Sequence, residues 1–255
     1  MASGIDHLVI AVSDPDAAAA ELTEALGLAF TAGGRHAGLG TFNRIAFLGD
    51  AYVELIGVDD PAAAAGWTIG AAAVPSLEQG GGFATYGLVD DAIRNTVARL
   101  QANGSAIGPV AHGSRERPDG ERVDWWSASP PQLGPVEPPF LIKHLAAGAE
   151  WGVEALAARR AFVHPIGAPV RLLGLELSLP DPLDLAAACA RQLDLEFTVA
   201  GETGERGAAA AIGPQTVVLT PAASSGVRVV LATTRPVPSR AATAFGVMFV
   251  VGGAG

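Results

Sequence analysis

The chain has 255 residues, of which 49% are hydrophobic and 16% are charged, and this composition is typical of a globular protein rather than a disordered one. Sixteen basic and 26 acidic side chains give a formal net charge of −10, so neither nucleic acid nor an anionic membrane surface is an expected partner. Cys189 is the one cysteine in the sequence. It excludes an intrachain disulfide and predicts a reducing, cytoplasmic compartment.

The N-terminal segment predicts the order strand, helix, strand, strand, strand. Residues 8–12 are an apolar, β-rich run that is too short for a signal peptide or a membrane span. Asp14 is suited to cap a helix over residues 17–26, and Gly27 is suited to end it. The remaining elements of this first module, at about residues 4–60, are a strand at 28–31, a glycine-rich loop at 33–40, and strands at 43–48 and 52–58.

A second module, at about residues 82–145, repeats this order after an alanine-rich linker at residues 61–79. A strand at residues 83–89 leads into a helix that Asp90 or Asp91 caps. Glycine, proline and aspartate residues mark the turns between the later strands. These strands are predicted at residues 108–112, 122–128 and 140–144.

A third copy of the pattern, at about residues 170–235, is the clearest one. An offset of 167 places Asp181 on Asp14 and Leu193 on Leu26, and the apolar positions of the flanking strands agree as well. The agreement covers spacing, helix capping and strand pattern, so it indicates a true repeat rather than a shared composition. A further apolar strand is predicted at 245–251.

The repeats predict paired βαβββ modules over residues 1–145, a helical linker at 146–169, and a third, partial module at 170–255. One module leaves a sheet face bare, so two must pair to bury it. The third must therefore pack on the others, on the final strand, or on a second copy of the chain, and the last option predicts a homodimer. No Asp, Glu, His or Cys follows Arg206, so we expect the third module to be structural.

Two residues of the first module are candidate metal ligands. His7 opens the first strand, and Glu54 lies in the last strand, on the face opposite Val53 and Leu55. Imidazole nitrogen and carboxylate oxygen suit Zn, Mn, Ni or Fe(II). The alternative is a histidine at a strand edge and a glutamate that extends from one into solvent.

A second candidate cluster surrounds the glycine-rich stretch at 33–40. His36 is the candidate catalytic residue, because imidazole exchanges protons near neutral pH. Arg35, Thr41 and Asn43 are candidate substrate contacts, since glycine lets backbone approach a ligand closely. The alternative is a hairpin loop that needs glycine for its turn, with Asn43 bonded to backbone.

Other polar and aromatic residues have weaker signals. Trp125 and Trp126 are adjacent on a strand and point to opposite faces, so Trp125 is a candidate to line a cavity, with two core aromatics as the alternative. Residues 113–117 predict a solvated, charged hairpin tip. His164 lies between modules and either closes a cavity mouth or makes a linker contact.

Several segments resemble the glyoxalase-like subfamily of the vicinal-oxygen-chelate superfamily. They are IDHLVIAVSDPDAAAAEL, GGRHAGLGTFNRIAFLGDAYVELI, DWWSASPP, PPFLIKH and HPIG, which together cover roughly residues 5–180. The resemblance implies an α+β fold in which repeated βαβββ modules form curled mixed sheets around a cavity. It also implies that His7 and Glu54 stand where relatives bind a divalent metal.

The chain departs from the family pattern in its second module. Relatives usually take two further metal ligands there, but Ala84 (or its neighbour Thr85) and Ile142 occupy the matching positions. His144 becomes the third candidate ligand if the register shifts by two residues, which preserves the strand face. A divalent metal is thus the implied cofactor, and a site without metal is the alternative.

These observations support two hypotheses about function. The first is a metal-dependent isomerase, lyase or dioxygenase that acts on a small carbonyl-type or aromatic molecule. The second is a protein that binds or sequesters such a molecule without turnover and keeps a degenerate metal site. No nucleophile elbow, P-loop or Rossmann glycine pattern is present to suggest another reaction class.

Overall fold

A computed structural model describes residues 2–202 and 206–253, and two βαβββ modules come first in it. The first module contains β1 (Gly4–Ala11), α1 (Pro15–Leu26), β2 (Thr31–His36), β3 (Thr41–Leu48) and β4 (Ala51–Val58). Two helices follow, α2 (Pro61–Ala64) and α3 (Thr68–Glu78). The second module contains β5 (Gly82–Val89), α4 (Ile93–Ala102), β6 (Ala111–Glu116), β7 (Arg122–Ala128) and β8 (Phe140–His144).

The eight strands of these modules close into one barrel, in the order β1-β4-β3-β2-β6-β7-β8-β5. β1 runs parallel to β4 and antiparallel to β5, and β5 runs parallel to β8. A second junction, between β2 and β6, pairs Arg35 with Glu116. Closure removes the free strand edges of both modules, and it confirms the prediction of curled mixed sheets in an α+β fold.

The linker predicted at residues 61–79 is helical instead. Both Ala62 and Ala63 donate their backbone N–H to Asp60 Oδ1 at 3.1 Å, so Asp60 caps α2, and Pro61 occupies its first turn. Many of the residues in this segment are alanine, which has the highest helix propensity of any residue and therefore favours the helices. α3 packs Ile69 into a cluster of buried apolar side chains inside the barrel.

The glycine-rich stretch predicted as a loop at 33–40 is largely strand, because β2 includes Thr31–His36. Gly33 has φ +63, and a Cβ atom there would lie 1.9 Å from the backbone oxygen of Asn43. Glycine therefore lets β2 approach β3 where the register shifts between Thr31 and Gly34. The remaining turn covers residues 37–40, and His36 faces the barrel interior.

The hairpin tip predicted at residues 113–117 is also mostly strand. β6 extends to Glu116, which pairs with Arg122 of β7. Arg115 is only 4% exposed, because strand alternation turns it into the barrel, where a buried carboxylate, Glu150, forms an ion pair with it. The prediction of a solvated tip was wrong at this residue.

The rest of the chain forms a second sheet. Two helices, α5 (Gly148–Trp151) and α6 (Val153–Ala161), come first. The later elements are β9 (Val170–Leu179), α7 (Pro182–Leu193), β10 (Thr198–Ala200), β11 (Gly207–Ile212), β12 (Gln215–Pro221), β13 (Gly226–Thr233), β14 (Arg240–Ala244) and β15 (Val247–Gly252). The strand order is β10-β11-β12-β9-β13-β15-β14.

Pairing in this sheet copies that of the barrel. β9 runs parallel to β12 and antiparallel to β13, as β1 does to β4 and β5, and β13 runs parallel to β15. β9 to β12 thus form a third βαβββ unit, whose open side is paired within the chain by β13. The homodimer and the division at residues 1–145, 146–169 and 170–255 stay predictions, and the outer bounds 1 and 255 lie outside the described residues.

The two sheets share one cluster of buried apolar side chains. Leu22 and Leu26 of α1 are fully buried in it together with Leu175 of β9 and Phe249 of β15. Burial of each such side chain stabilises the fold by roughly 1.5–3 kcal/mol. Cys189 is buried in the same cluster, and this burial raises the pKa of its thiol to about 12, so the thiol is unreactive.

A polar contact also connects the sheets. Gln215 Oε1 of β12 accepts the backbone N–H of Ile5 at 3.1 Å. At that point the register of β1 against β5 shifts between Ile5 and His7.

The longest described helices, α1 and α7, have 12 residues each. Among the described helices, none has the length and hydropathy that a bilayer span needs.

Substitution of Gly27 tests the packing between α1 and the segment before β9. Gly27 ends α1 with φ +71, and a Cβ atom there would lie 2.8 Å from the backbone nitrogen of Ile166. We expect Gly27→Ala to lower the free energy of unfolding by about 2–4 kcal/mol, from the left-handed backbone and the clash together. Urea denaturation at pH 7.5 measures this loss.

Gly104→Ala is the matched control, because Gly104 has φ +88 and a Cβ atom there would meet nothing within 4 Å. It should cost only the backbone contribution, about 1 kcal/mol. Equal losses in the two variants would contradict the contact with Ile166.

Candidate functional site inside the barrel

A small cavity lies inside the barrel, with a volume of about 20 Å³. That volume holds about one water-sized occupant. Its polar lining consists of His7, His36, Asn43, Glu54, Arg115, His144 and Glu150. Its aromatic lining consists of Phe47, Tyr52, Trp67, Trp125 and Trp151.

His7 and Glu54 meet in this cavity, as the sequence predicted. They lie on the neighbouring parallel strands β1 and β4, and His7 Nε2 is 3.5 Å from Glu54 Oε2. The two residues are 1% and 4% exposed. His7 Nε2 makes no hydrogen bond to any described atom, so a buried nitrogen and a buried carboxylate oxygen face each other across the cavity.

Asp6 fixes the orientation of His7, although no pattern in the sequence indicated this role. Asp6 has no partner on β5, since the register runs from Ile5–Leu88 to His7–Gly87, and this bulge lets Asp6 be buried beside His7, which strand alternation directs inward. His7 Nδ1 lies 2.6 Å from Asp6 Oδ1. In the neutral ring Nδ1 then carries the proton and Nε2 the lone pair.

His144 bonds to the same carboxylate, because its Nε2 lies 3.2 Å from Asp6 Oδ1. Burial alone would raise the pKa of Asp6, but the facing His144 and His7 rings hold that pKa below its usual range. Burial also lowers the pKa of His144. Its Nδ1 has no hydrogen-bond partner among the described atoms, and its ring stacks on Trp151 with centroids 3.5 Å apart.

Asn43 orients the carboxylate of Glu54. Its Nδ2 donates to Glu54 Oε1 at 2.5 Å, while its Oδ1 accepts the backbone N–H of Gly34 at 2.9 Å. Glu54 therefore presents Oε1 to Asn43 and Oε2 to His7. The predicted bond of Asn43 to backbone is therefore present, and its role as a substrate contact stays a prediction.

His36 lies on the other side of Glu54, with Nε2 at 3.8 Å from Oε1. Its Nδ1 is 2.7 Å from the hydroxyl of Thr41, which is able to donate or to accept. Trp67 and Trp125 flank the ring, with centroids 5.3 and 5.9 Å away. Burial lowers the pKa of His36 to about 4, against the effect of Glu54, so the ring is neutral near pH 7.

The metal ligands predicted from the sequence are only partly assembled. Among residues 2–202 and 206–253, no three His, Cys, Asp or Glu side chains are placed to hold one ion together. His7 and Glu54 fit two positions of a coordination shell, since a lone pair and a carboxylate oxygen converge there. His144 is bonded to Asp6 instead, and Ala84 and Ile142 belong to the inner apolar cluster.

The structure places the remaining candidates both inside and outside the cavity. Trp125 lines the cavity, and Trp126 packs against the outer core. Arg35 lies outside, with its side chain 71% exposed and paired with Asp59. His164 connects segments, because it contacts Phe47 O at 2.9 Å and the backbone N–H of Ala29 at 3.1 Å.

Sequence reasoning missed the cover of the cavity, which the predicted linker supplies. Glu150 and Trp151 of α5 line the cavity, and Glu150 pairs with Arg115. Arg159 of α6 lies over the Trp151 and Phe47 rings, at 4.5 and 4.0 Å from their centroids. No periodicity or motif in this segment indicates that its short helices fold back over the barrel, whose last strand ends at His144.

Comparison with known proteins identifies the family. The family model described as "Glyoxalase-like domain" matches residues 5–193, which cover the eight barrel strands except for the first residue of β1. The chain belongs to the glyoxalase-like domain family. This membership places it in the vicinal-oxygen-chelate superfamily, as the sequence resemblance implied. No curated protein sequence matches the chain.

Solved structures agree with this glyoxalase-like fold. The chain is similar to a hypothetical protein from Staphylococcus aureus, with TM-score 0.78, 14% identity, and coverage of 98% of this chain and 99% of that one. It is also similar to a 4-hydroxymandelate synthase variant from Streptomyces coelicolor, with TM-score 0.50, 13% identity, and coverage of 91% and 71%. A methylmalonyl-CoA epimerase variant from the same organism, in complex with 2-nitronate-propionyl-CoA, aligns with TM-score 0.42, 15% identity, and coverage of 56% and 94%. At these identities the likeness to the first two structures shows the fold alone.

The lowered pKa of His36 predicts a stability that depends on pH. Below pH 6.5 the unfolded chain binds a proton at His36, whereas the folded protein binds one only near pH 4. The contribution of His36 to the free energy of unfolding is therefore complete above pH 6.5. It decreases as the pH drops towards 4, and about 2 kcal/mol of it is lost at pH 5. His36→Gln should lose about 2 kcal/mol less than the wild type between pH 8 and pH 5 in urea denaturation.

His144 and His164 contribute equally to both proteins, so the difference isolates His36. Identical slopes for the wild type and His36→Gln would show that His36 is not held neutral.

Proposed function

We propose that this glyoxalase-like protein is an enzyme of the isomerase or lyase type, with its reaction centre in the barrel cavity. It would act on a small carbonyl compound with the help of a divalent ion at His7 and Glu54. The observation that carries the proposal is the buried approach of His7 Nε2, which has no hydrogen-bond partner among the described atoms, to Glu54 Oε2 at 3.5 Å. Two bare acceptors in a low-dielectric interior repel each other unless a positive charge joins them.

The residues around this pair support the assignment. Asp6 accepts from the distal nitrogen of His7, which is how carboxylates commonly orient a metal-binding imidazole. Asn43 holds the second oxygen of Glu54, so one oxygen remains directed to His7. A divalent ion bound there would supply Lewis-acid polarisation of a carbonyl or enediolate-type oxygen.

His36 is the residue that we assign to proton transfer. It is neutral near pH 7 because burial lowers its pKa to about 4, so it is ready to accept a proton. Thr41 is able to stabilise either neutral tautomer through Nδ1, so His36 Nε2 is able to give or take a proton without moving the ring. The surrounding tryptophans exclude water from the ring.

Metal titration tests the ion site. We expect wild-type protein, stripped and then incubated with Zn²⁺ or Mn²⁺, to take up about one equivalent. His7→Gln and Glu54→Gln should each weaken binding by at least about 100-fold, and Asp6→Asn by about 10- to 100-fold. Calorimetry gives the affinities, and elemental analysis by mass spectrometry gives the stoichiometry.

His112→Gln is the matched control for these variants, since it removes an imidazole that forms an exposed pair with Asp124 at 2.8 Å. Its ion affinity should equal that of the wild type. Equal ion uptake by the wild type and by both His7 and Glu54 variants would overturn the assignment, and so would no uptake at all.

Solvent exchange tests the role of His36. Ion-loaded protein should catalyse deuterium exchange from D₂O at the carbon beside the carbonyl of a small ketone or 2-oxo acid, followed by NMR. His36→Gln should slow this exchange by at least about 100-fold and should leave ion affinity unchanged. Exchange at the wild-type rate in His36→Gln would exclude this histidine as the proton carrier.

The incomplete ligand set supports a second candidate function, which is small-molecule binding without turnover. No three metal-binding side chains converge on one point among the described residues, and five aromatic and four aliphatic side chains line the cavity beside the polar ones. Such a lining is typical of a binding pocket. An absence of both ion uptake and exchange, together with binding of an aromatic ligand, would favour this function.

A further inference from the structure

The cavity must open to admit a substrate, because about 20 Å³ is less than a small carbonyl compound occupies. The cover segment, which we define as residues 148–152, closes it. Glycine is found at both ends of this segment, with Gly148 at φ +74, and the backbone N–H of Gly152 donates to Gly148 O at 3.0 Å. Glycine permits the backbone rotation that a moving segment needs.

The main polar contact of the cover segment is a carboxylate inside the barrel. Glu150, 7% exposed, pairs through Oε2 with Nη2 of Arg115, which is 4% exposed. Arg117 Nη1 donates to the other oxygen, Oε1, at 3.1 Å. The remaining contact of the Arg115 guanidinium is Nη1 to Gly33 O at 3.5 Å, so Glu150 supplies its main neutralising charge.

Arg115 faces the same cavity as the reacting groups. It lines the cavity together with Glu54 and His36. Its positive charge adds to the effect of burial in lowering the pKa of His36. An arginine buried beside a reaction centre is a strong carboxylate binder, because its planar fork matches the two carboxylate oxygens. In this structure the carboxylate of Glu150 occupies the guanidinium of Arg115.

An outer pocket lies beyond the cover segment. It has a volume of about 330 Å³, and it shares His144 and Trp151 with the inner cavity as a common wall. Gln215 of the second sheet also lines it. Displacement of Trp151 would therefore join the inner cavity to a space large enough for the body of a small organic molecule.

We propose that Arg115 is the recognition residue for the carboxylate of the substrate, and that this carboxylate displaces Glu150 and so opens the cover segment. The substrate class is thereby a small carboxylic acid, such as a 2-oxo or 2-hydroxy acid. This inference deepens the proposed function, on which it rests for the chemistry. It makes Glu150 an internal competitor for the substrate.

The test is calorimetric titration of metal-free protein in EDTA with oxamate, pyruvate and phenylacetate, and with the neutral amides oxamide and phenylacetamide. Glu150→Gln removes the competing charge and should bind at least one carboxylate at least about tenfold more tightly than the wild type. Glu154→Gln makes the same change at an exposed position of α6 and should behave as the wild type.

Arg115→Gln alone leaves Glu150 buried without its partner and risks misfolding. The double variant Arg115→Gln, Glu150→Gln removes both charges, so it should fold and should bind no carboxylate. Hydrogen exchange provides a second readout, since the amides of residues 149–152 should exchange at least about tenfold faster with carboxylate bound. Circular dichroism verifies that each variant is folded.

Several results would overturn the inference. They are no carboxylate binding by Glu150→Gln, equal binding of the amides, or undiminished carboxylate binding by the double variant. Because the titration needs no ion, carboxylate binding without metal uptake would leave this inference standing and remove the ion site. Metal uptake without carboxylate binding would overturn this inference and leave the ion site standing.

Discussion

The site depends on one buried carboxylate, that of Asp6, which bonds to His7 at 2.6 Å and to His144 at 3.2 Å. A carboxylate that is 1% exposed is unfavourable unless its partners repay the loss of hydration. The hydrogen bonds to the two imidazoles compensate for this loss, and the same bonds fix each ring in one orientation. His7 then presents its free nitrogen to Glu54, and His144 presents its flat face to Trp151. The inner pair and the cover of the cavity thus share a common anchor.

The sequence predicted those parts of the site that follow from strand periodicity. His7 and Glu54 converge because alternation directs each to one face, and β1 and β4 are neighbours in the module. His36 also reaches the interior, although the strand that holds it was predicted as a loop. The misassignment arose because glycines, which usually mark turns, here permit the close approach of two strands at Gly33.

Other parts of the site could not be predicted, because they depend on tertiary structure. Asp6 turns inward only because a bulge interrupts β1, and a bulge has no reliable signature in a single sequence. From the sequence alone Arg115 is predicted to be solvated, because Glu150, which supplies its counter-charge, lies 35 residues later in the chain. The ion pair that covers the cavity joins a strand to a short helix with no shared periodicity. Repeats and apolar patterns therefore predicted the architecture far better than the polar contacts.

The hydrogen bond from Ile5 to Gln215 gives the second sheet a role beyond packing. The backbone N–H of Ile5 lies beside the bulge that turns Asp6 inward, and Gln215 Oε1 accepts it at 3.1 Å. An unsatisfied buried N–H costs about 1–3 kcal/mol. The third module, which lacks acid-base groups of its own after Arg206, thus acts as an external brace for the irregular strand that carries the reactive imidazole. A barrel separated from this brace would tend to relax towards regular pairing, with Asp6 rotated away from both histidines.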